Sequence, residues 1–404
     1  MKIKKIIFVI VFLTSLSIFG LYALINQEKS NISYLEKRHL SYVETLSVNN
    51  WLTRKFQESI DSTITDNFWM RNDWLKYYNK TNMKLNSIGN KILFILFNSK
   101  SEQKFSIQKV NEKISFIKEL SYLIRNPYIY DETVEKGIKS NIEKINFLHD
   151  KYENIEFYIY LPTMPHEANI FDFGTESADY LKLFYETKIP FKKLEIHNIY
   201  QLKEMYFKTD HHWTKFGAYR GYTDIIELLF DELENPRIPV NEEKFNDIDF
   251  YGSHSRDIAH SIELEGDSIS KYVFDLPEYK LYINNVLTEE YGNYGDYVKG
   301  VVNNTKGFDH YNWMYQRREA EIIFDTDQKN LDNILVISDS MSNAIRDILA
   351  SHFNQSIFVN LDKYERDIGD FQIEEYLNRR DIDKVLVMVS LGNYFPTGEL
   401  KHLK

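Results

Sequence analysis

The sequence contains no cysteine. That excludes a disulfide framework, a thiolate metal site and a thiol nucleophile. A folded domain must then rest on its core alone, which 404 residues that are 43% hydrophobic and 15% aromatic make feasible. There is also no basic surplus: 49 Lys and Arg against 60 Asp and Glu give a formal charge of -11. No field of the kind that neutralises phosphates exists, so no nucleic-acid partner is expected. No HExxH or spaced Asp/His set occurs, and the adjacent His211 and His212 do not easily ligate one ion from one face. Neither a metal nor another cofactor is expected. No internal repeat is present.

What is present begins with MKIKK and then twenty residues without a charge, Ile6 to Ile25. As a helix that run spans a hydrocarbon core of ~30 Å. A cleaved signal peptide has a shorter apolar region and a small-x-small site after it, whereas LINQEKS follows here. The segment reads as a signal-anchor, with Lys2, Lys4 and Lys5 at a cytoplasmic end (1–5), a span over 6–25 and everything after about Asn26 extracytoplasmic at the cell membrane.

Residues 26–100 read as a helical stem, with two helices separated by DNFWMR. SIQKVNEKISFIKELSYLI and the run from Glu132 to Asp150 read as further amphipathic helices. The period then changes. Ile155–Pro162, Asn333–Asp339, Ser356–Asn360 and Lys384–Ser390 are short apolar runs rich in branched residues, and the helical patterns MSNAIRDILASHF and IEEYLNRRD separate the last three. Such alternation predicts an α/β domain over 101–404, a parallel sheet flanked by helices, with functional loops at the carboxyl ends of its strands. From about 241 to 318 runs a Tyr- and Asn-rich stretch without a persistent period, read as an insertion with hairpins whose tyrosines serve packing.

The chemistry concentrates in two places. NILVISD runs into Ser340, and a serine at a strand-to-helix turn faces an oxyanion held by the N–H groups of the following helix. The same SDS also suits an ordinary helix cap. A serine needs a base, and TDHHWTKFGAY (Thr209–Tyr219) supplies one. In an extended segment Asp210 and His212 face together while His211 faces away. The aspartate then fixes the imidazole tautomer and the other ring nitrogen takes the serine proton. His166, in LPTMPHEAN, sits at a strand end where it can line the cleft. Ser390-Leu391-Gly392-Asn393 ends the last strand, where Asn393 is either an oxyanion donor or part of a plain turn.

With these residues in hand, TDHHWTKFGAY and ISDSMS resemble the DHHW family, which is similar to the SGNH-type acetyltransferases of alginate O-acetylation systems. LEKRHL and FQESIDSTITDNFWMR, with its D-x-F-x-x-R pattern, fit as well, so the resemblance covers most of the chain except Asn241 to Arg318. It implies a flavodoxin-like SGNH-hydrolase core with a circularly permuted motif order, Asp-x-His preceding the serine. Asp210 would orient, His212 would be the general base and Ser340 the acyl-carrying nucleophile. Asn393, Asp339 and His211 join them as candidate oxyanion or substrate contacts. The family's usual glycine before Asp-Ser is Ser338 here. The resemblance further implies a membrane-bound O-acyltransferase that supplies acetyl and a cell-surface or exopolysaccharide that accepts it. An acetyl esterase using the same triad, and a non-catalytic polysaccharide-assembly protein, remain open.

Overall fold

The computed structural model describes residues 7, 14, 17–27, 32–33, 38–97, 105–173, 177–231, 235–246, 248–288, 309–315 and 319–403. Among these residues no helix is long and apolar enough to cross a membrane, and nine of the twenty residues of the expected span over 6–25 lie outside them.

The chain forms two compact units. The first comprises Met1–Ser101, Gln108–Ile114 and Ser255–Leu264. Its helices Lys55–Asp66 and Arg71–Phe97 are separated at DNFWMR, as the pattern predicts. Asp66, at the end of the former, accepts hydrogen bonds from the backbone N–H (2.8 Å) and hydroxyl (2.7 Å) of Ser41, which fixes the preceding segment.

The second unit comprises Glu102–Ile107, Ser115–His254 and Glu265–Lys404. An eight-stranded sheet organises it. In chain order its strands are β1 (Glu156–Leu161), β2 (Phe191–Lys193), β3 (Lys280–Ile283), β4 (Val286–Thr288), β5 (Glu321–Asp325), β6 (Asn333–Ser338), β7 (Gln355–Val359) and β8 (Lys384–Met388). Their order across the sheet is β4-β3-β5-β7-β6-β8-β1-β2. The run β7-β6-β8-β1-β2 is parallel, whereas β5, β3 and β4 are antiparallel to their neighbours.

Alternation along each strand feeds two cores. Ile334, Val336, Leu386 and Met388 pack on one face with helix α2 (Lys215–Phe230) through Tyr222, Ile225 and Ile226. Leu335, Ile337, Val385 and Val387 pack on the other with helix α1 (Glu132–Lys151) through Ile138, Ile142 and Ile145. Both faces are covered, which is why these strands read as continuous apolar runs. Ser338 pairs with Met388 and Met388 with Tyr160, so the carboxyl ends of β6, β8 and β1 lie level. Three loops leave from one edge.

Three expectations need correcting. The helix expected over SIQKVNEKISFIKELSYLI is absent; Ile107–Lys109, Ile114–Ile117 and Tyr122–Arg125 are strands. Asn111 breaks the helix, its side-chain oxygen accepting from the N–H groups of Lys113 (2.9 Å) and Ile114 (2.8 Å) in a turn. That turn lends branched residues, which favour strands, an apparent helical spacing. The helix expected after the serine is a 3₁₀ turn, Ser340–Ala344, followed by the short α4 (Arg346–Ala350). The 241–318 stretch is not wholly an excursion either: β3 and β4 extend the main sheet, and helix α3 (His310–Met314) packs at the site.

Candidate active site

The Asp-His pair arises from a turn, not from the alternation of an extended strand. Asp210 Oδ1 accepts from the backbone N–H of His212 (2.8 Å), closing an Asx turn, and the same oxygen lies 2.5 Å from His212 Nδ1. On the opposite side of the ring, His212 Nε2 lies 2.8 Å from Ser340 Oγ. Asp210 and His212 are buried. A carboxylate on Nδ1 fixes the proton there and leaves the Nε2 lone pair for the hydroxyl.

Several residues hold this turn. Ser253 donates its N–H to Asp210 Oδ2, and Gly252 leaves the room, since a Cβ there would lie 2.1 Å from Asp210 Cβ. Asp267 accepts from the N–H of Lys208 (2.9 Å), the N–H of Thr209 (3.0 Å) and the Thr209 hydroxyl (2.6 Å). Burial raises its carboxyl from 3.8 to about 6, partly offset by those donors. Trp213, fully buried, presses against α2 where Gly217 and Gly221 have no side chain; a Cβ at Gly221 would lie 2.5 Å from Trp213 Cζ3.

The general-base candidate is enclosed on both faces. Tyr311, on α3, stacks on the His212 ring at 3.9 Å between centroids and 16° between planes. His211 lies on His212 at 3.9 Å and 35°. His211 therefore does not face away from the site, because the Asx turn bends the backbone; its Nδ1 lies 2.6 Å from Ser253 Oγ. Burial, then the adjacent His212, hold His211 well below the usual imidazole range.

Asp339 ties the Ser340 turn to the end of β8. Its Oδ1 accepts from the N–H of Met341 (2.9 Å); its Oδ2 accepts from the N–H of Ser390 (2.9 Å), the Ser390 hydroxyl (2.9 Å) and the Asn393 amide (2.8 Å). This carboxylate is saturated with donors, so it positions loops and donates to nothing. Asn393 Nδ2 makes a second, longer contact of 3.3 Å to Ser390 Oγ. Ser338, standing where the resembled family has glycine, is fully buried with its hydroxyl 2.8 Å from that of Ser342.

Beside the triad opens a cleft of about 260 Å³, lined by His211 and Asn393 and also by Arg125, Tyr128, His166 and His254. Burial, then the Arg125 charge, hold His166 and His254 at about 3, so both are neutral. Glu167, next to His166, is raised from 4.5 to about 7 by burial, against the N–H it accepts from Met164 (2.8 Å). The ligating atoms of Asp210, His211 and His212 lie within 4.8 Å of one another, close enough for an ion. Those atoms are already bonded, to each other and to Ser253.

Arg125, Gly252, Asp267 and Tyr311 escaped the sequence reading, and His254 reads there only as a surface or structural residue of the irregular stretch. Each stands in a segment without a pattern of its own, and only His166 carried a signal, its place at the end of β1.

No protein-family model and no curated protein sequence matches the chain. Solved structures do. Bacillus cereus PatB1, in a structure with a sulfonyl adduct, is similar at a TM-score of 0.55 with 21% identity, over 74% of this chain and 99% of that one. A DHHW family protein from Eubacterium siraeum is similar at 0.53 with 13% identity, over 72% and 95%. The O-acetyltransferase domain of Pseudomonas putida AlgJ aligns at 0.40 with 8% identity, over 70% and 92%. The fold is thus shared with PatB1 and with a protein of the family whose motif the sequence resembles.

Proposed function

We propose that the second unit is a serine-dependent O-acetyltransferase that moves acetyl through Ser340 to a saccharide hydroxyl. The observation that carries this reading is the continuous relay from Asp210 Oδ1 to His212 Nδ1 at 2.5 Å and from His212 Nε2 to Ser340 Oγ at 2.8 Å. His212 takes the Ser340 proton as Oγ attacks the donor's carbonyl, and returns it to the leaving oxygen. The acceptor's hydroxyl then gives its proton to His212 as it attacks the Ser340 ester, and Oγ leaves with that proton. Asn393, whose second N–H is held only by the 3.3 Å contact, is the amide we assign to the oxyanion.

Likeness in fold to a DHHW family protein supports the reading. The uncharged run Ile6–Ile25 supports an anchored, extracytoplasmic enzyme. A membrane-bound O-acyltransferase would supply acetyl, and a cell-surface or exopolysaccharide would accept it.

The test is polysaccharide acetylation in cells lacking the gene. Wild type restores acetyl groups and Ser340→Ala does not. Full restoration by Ser340→Ala would refute the mechanism, and loss of acetyl groups on expressing wild type would identify an esterase instead.

A further inference from the structure

The cleft beside the nucleophile has a composition at odds with the chain that contains it. The protein carries 60 acidic residues against 49 basic ones, yet no aspartate or glutamate lines the cleft. Arg125 ends the strand Tyr122–Arg125, and among the described residues no carboxylate lies within ion-pair distance of its guanidinium. An arginine that lines a cleft without an ion-pair partner is a ready partner for a carboxylate or phosphate, which its planar fork binds through two parallel hydrogen bonds.

The other lining groups suit a sugar. His254 Nδ1 lies 3.2 Å from the carbonyl oxygen of Leu123, so that nitrogen carries the proton and Nε2 keeps its lone pair. His254 Nε2 and His166 Nε2 are both buried without a hydrogen-bond partner among the described residues. Tyr128 and Phe395, with ring centroids 5.0 Å apart, add aromatic surface of the kind that packs on the apolar face of a sugar. All these rings and Arg125 converge on one space, and His211 and Asn393 join it to the triad.

We infer that this cleft is the acceptor subsite and that it selects a saccharide bearing an ionised group, a carboxylate or a phosphate, which Arg125 holds. The inference rests on the acetyl-transfer reading for its purpose and not for its geometry. Near neutral pH the imidazoles of His166 and His254 are uncharged, so Arg125 supplies the subsite's positive charge.

Binding and chemistry test it separately. The full chain carrying Ser340→Ala is titrated calorimetrically with three oligosaccharides of equal length: one neutral, one of uronic acid residues and one bearing phosphate. At least one charged ligand should bind tenfold or more tightly than the neutral one. Adding Arg125→Gln should remove that preference, and Arg125→Lys should restore part of it, which separates lost charge from misfolding. Which charged ligand binds more tightly names the group. Equal affinities for all three, or a preference that survives Arg125→Gln, would overturn the subsite. In parallel, wild type receives 4-nitrophenyl acetate. Absence of a nitrophenolate burst would count against the acyl-enzyme while leaving the binding result to judge the subsite.

Discussion

The ring of Tyr311 lies nearly parallel to that of His212, 16° between planes and 3.9 Å between centroids, and it belongs to a helix that the Ser340 turn itself holds. Asn343, in that turn, donates its amide to Asn312 Oδ1 at 2.7 Å. The plane of the His212 ring and the place of Ser340 are thereby set by one contiguous group of side chains. An aromatic pair of this kind contributes about 0.5–1.5 kcal/mol beyond area burial. Tyr311→Leu should lower kcat about two- to tenfold with little change in KM, while Tyr311→Phe should stay near wild type. Equal loss in both variants would mean that the hydroxyl matters and not the stack.

Gly252 allows Asp210 its approach, and any side chain there meets the carboxylate. Gly252→Ala should reduce acetyl-ester turnover at least tenfold in a protein that still melts cooperatively. Wild-type turnover would show that Asp210 has room to move without losing His212.

His211 lies against His212 but does not touch Ser340 Oγ through either ring nitrogen in the relay. His212→Ala should abolish turnover, on the order of 10³-fold or more. His211→Ala should cost less, with part of the loss in KM because the ring lines the cleft. The reverse ranking would remove His212 as the base.

Stability should carry the mark of Glu167. Its folded-state carboxyl sits near 7 against an ordinary 4.5, so its contribution is fully present below about 4.5 and is lost as pH rises through about 7. His166 and His254, lowered to about 3, act in the opposite sense: their contribution is present above about 6.5 and lost as pH falls towards 3. Comparing Glu167→Gln with wild type cancels the histidines. The variant's advantage in free energy of unfolding should grow between pH 5 and 8, reaching up to about 3 kcal/mol. A difference that does not change with pH would show that Glu167 titrates normally in the fold.

The parallel strands were legible because burial on both faces writes itself as apolar runs, as in NILVIS and KVLVM. Ser340 was legible because it follows the strand NILVIS, and Asp210 and His212 because an acid two residues before a histidine is a pairing that spacing alone suggests. The reason offered for the Asp-His pair was not the operating one. Alternation in a strand and an Asx turn both bring residues i and i+2 together, but only the turn leaves His211 beside His212. Gly252, Asp267 and Tyr311 were beyond reach, since each acts through a contact 40 or more positions away, as in the 2.6 Å bond from Thr209 to Asp267 across 58 residues. The 106–124 segment misled because a turn at Asn111 puts Val110 and Ile114 at helical spacing on either side of it.

The central claim is that acetyl passes through Ser340. The full chain is mixed with an acetyl ester, quenched and digested, and the peptide spanning Ser340 is weighed before and after an oligosaccharide is added. The account predicts the mass of one acetyl group on Ser340, its disappearance as the saccharide gains it, and no label in Ser340→Ala. Acetyl on a different side chain, or saccharide acetylation that persists in Ser340→Ala, would contradict it.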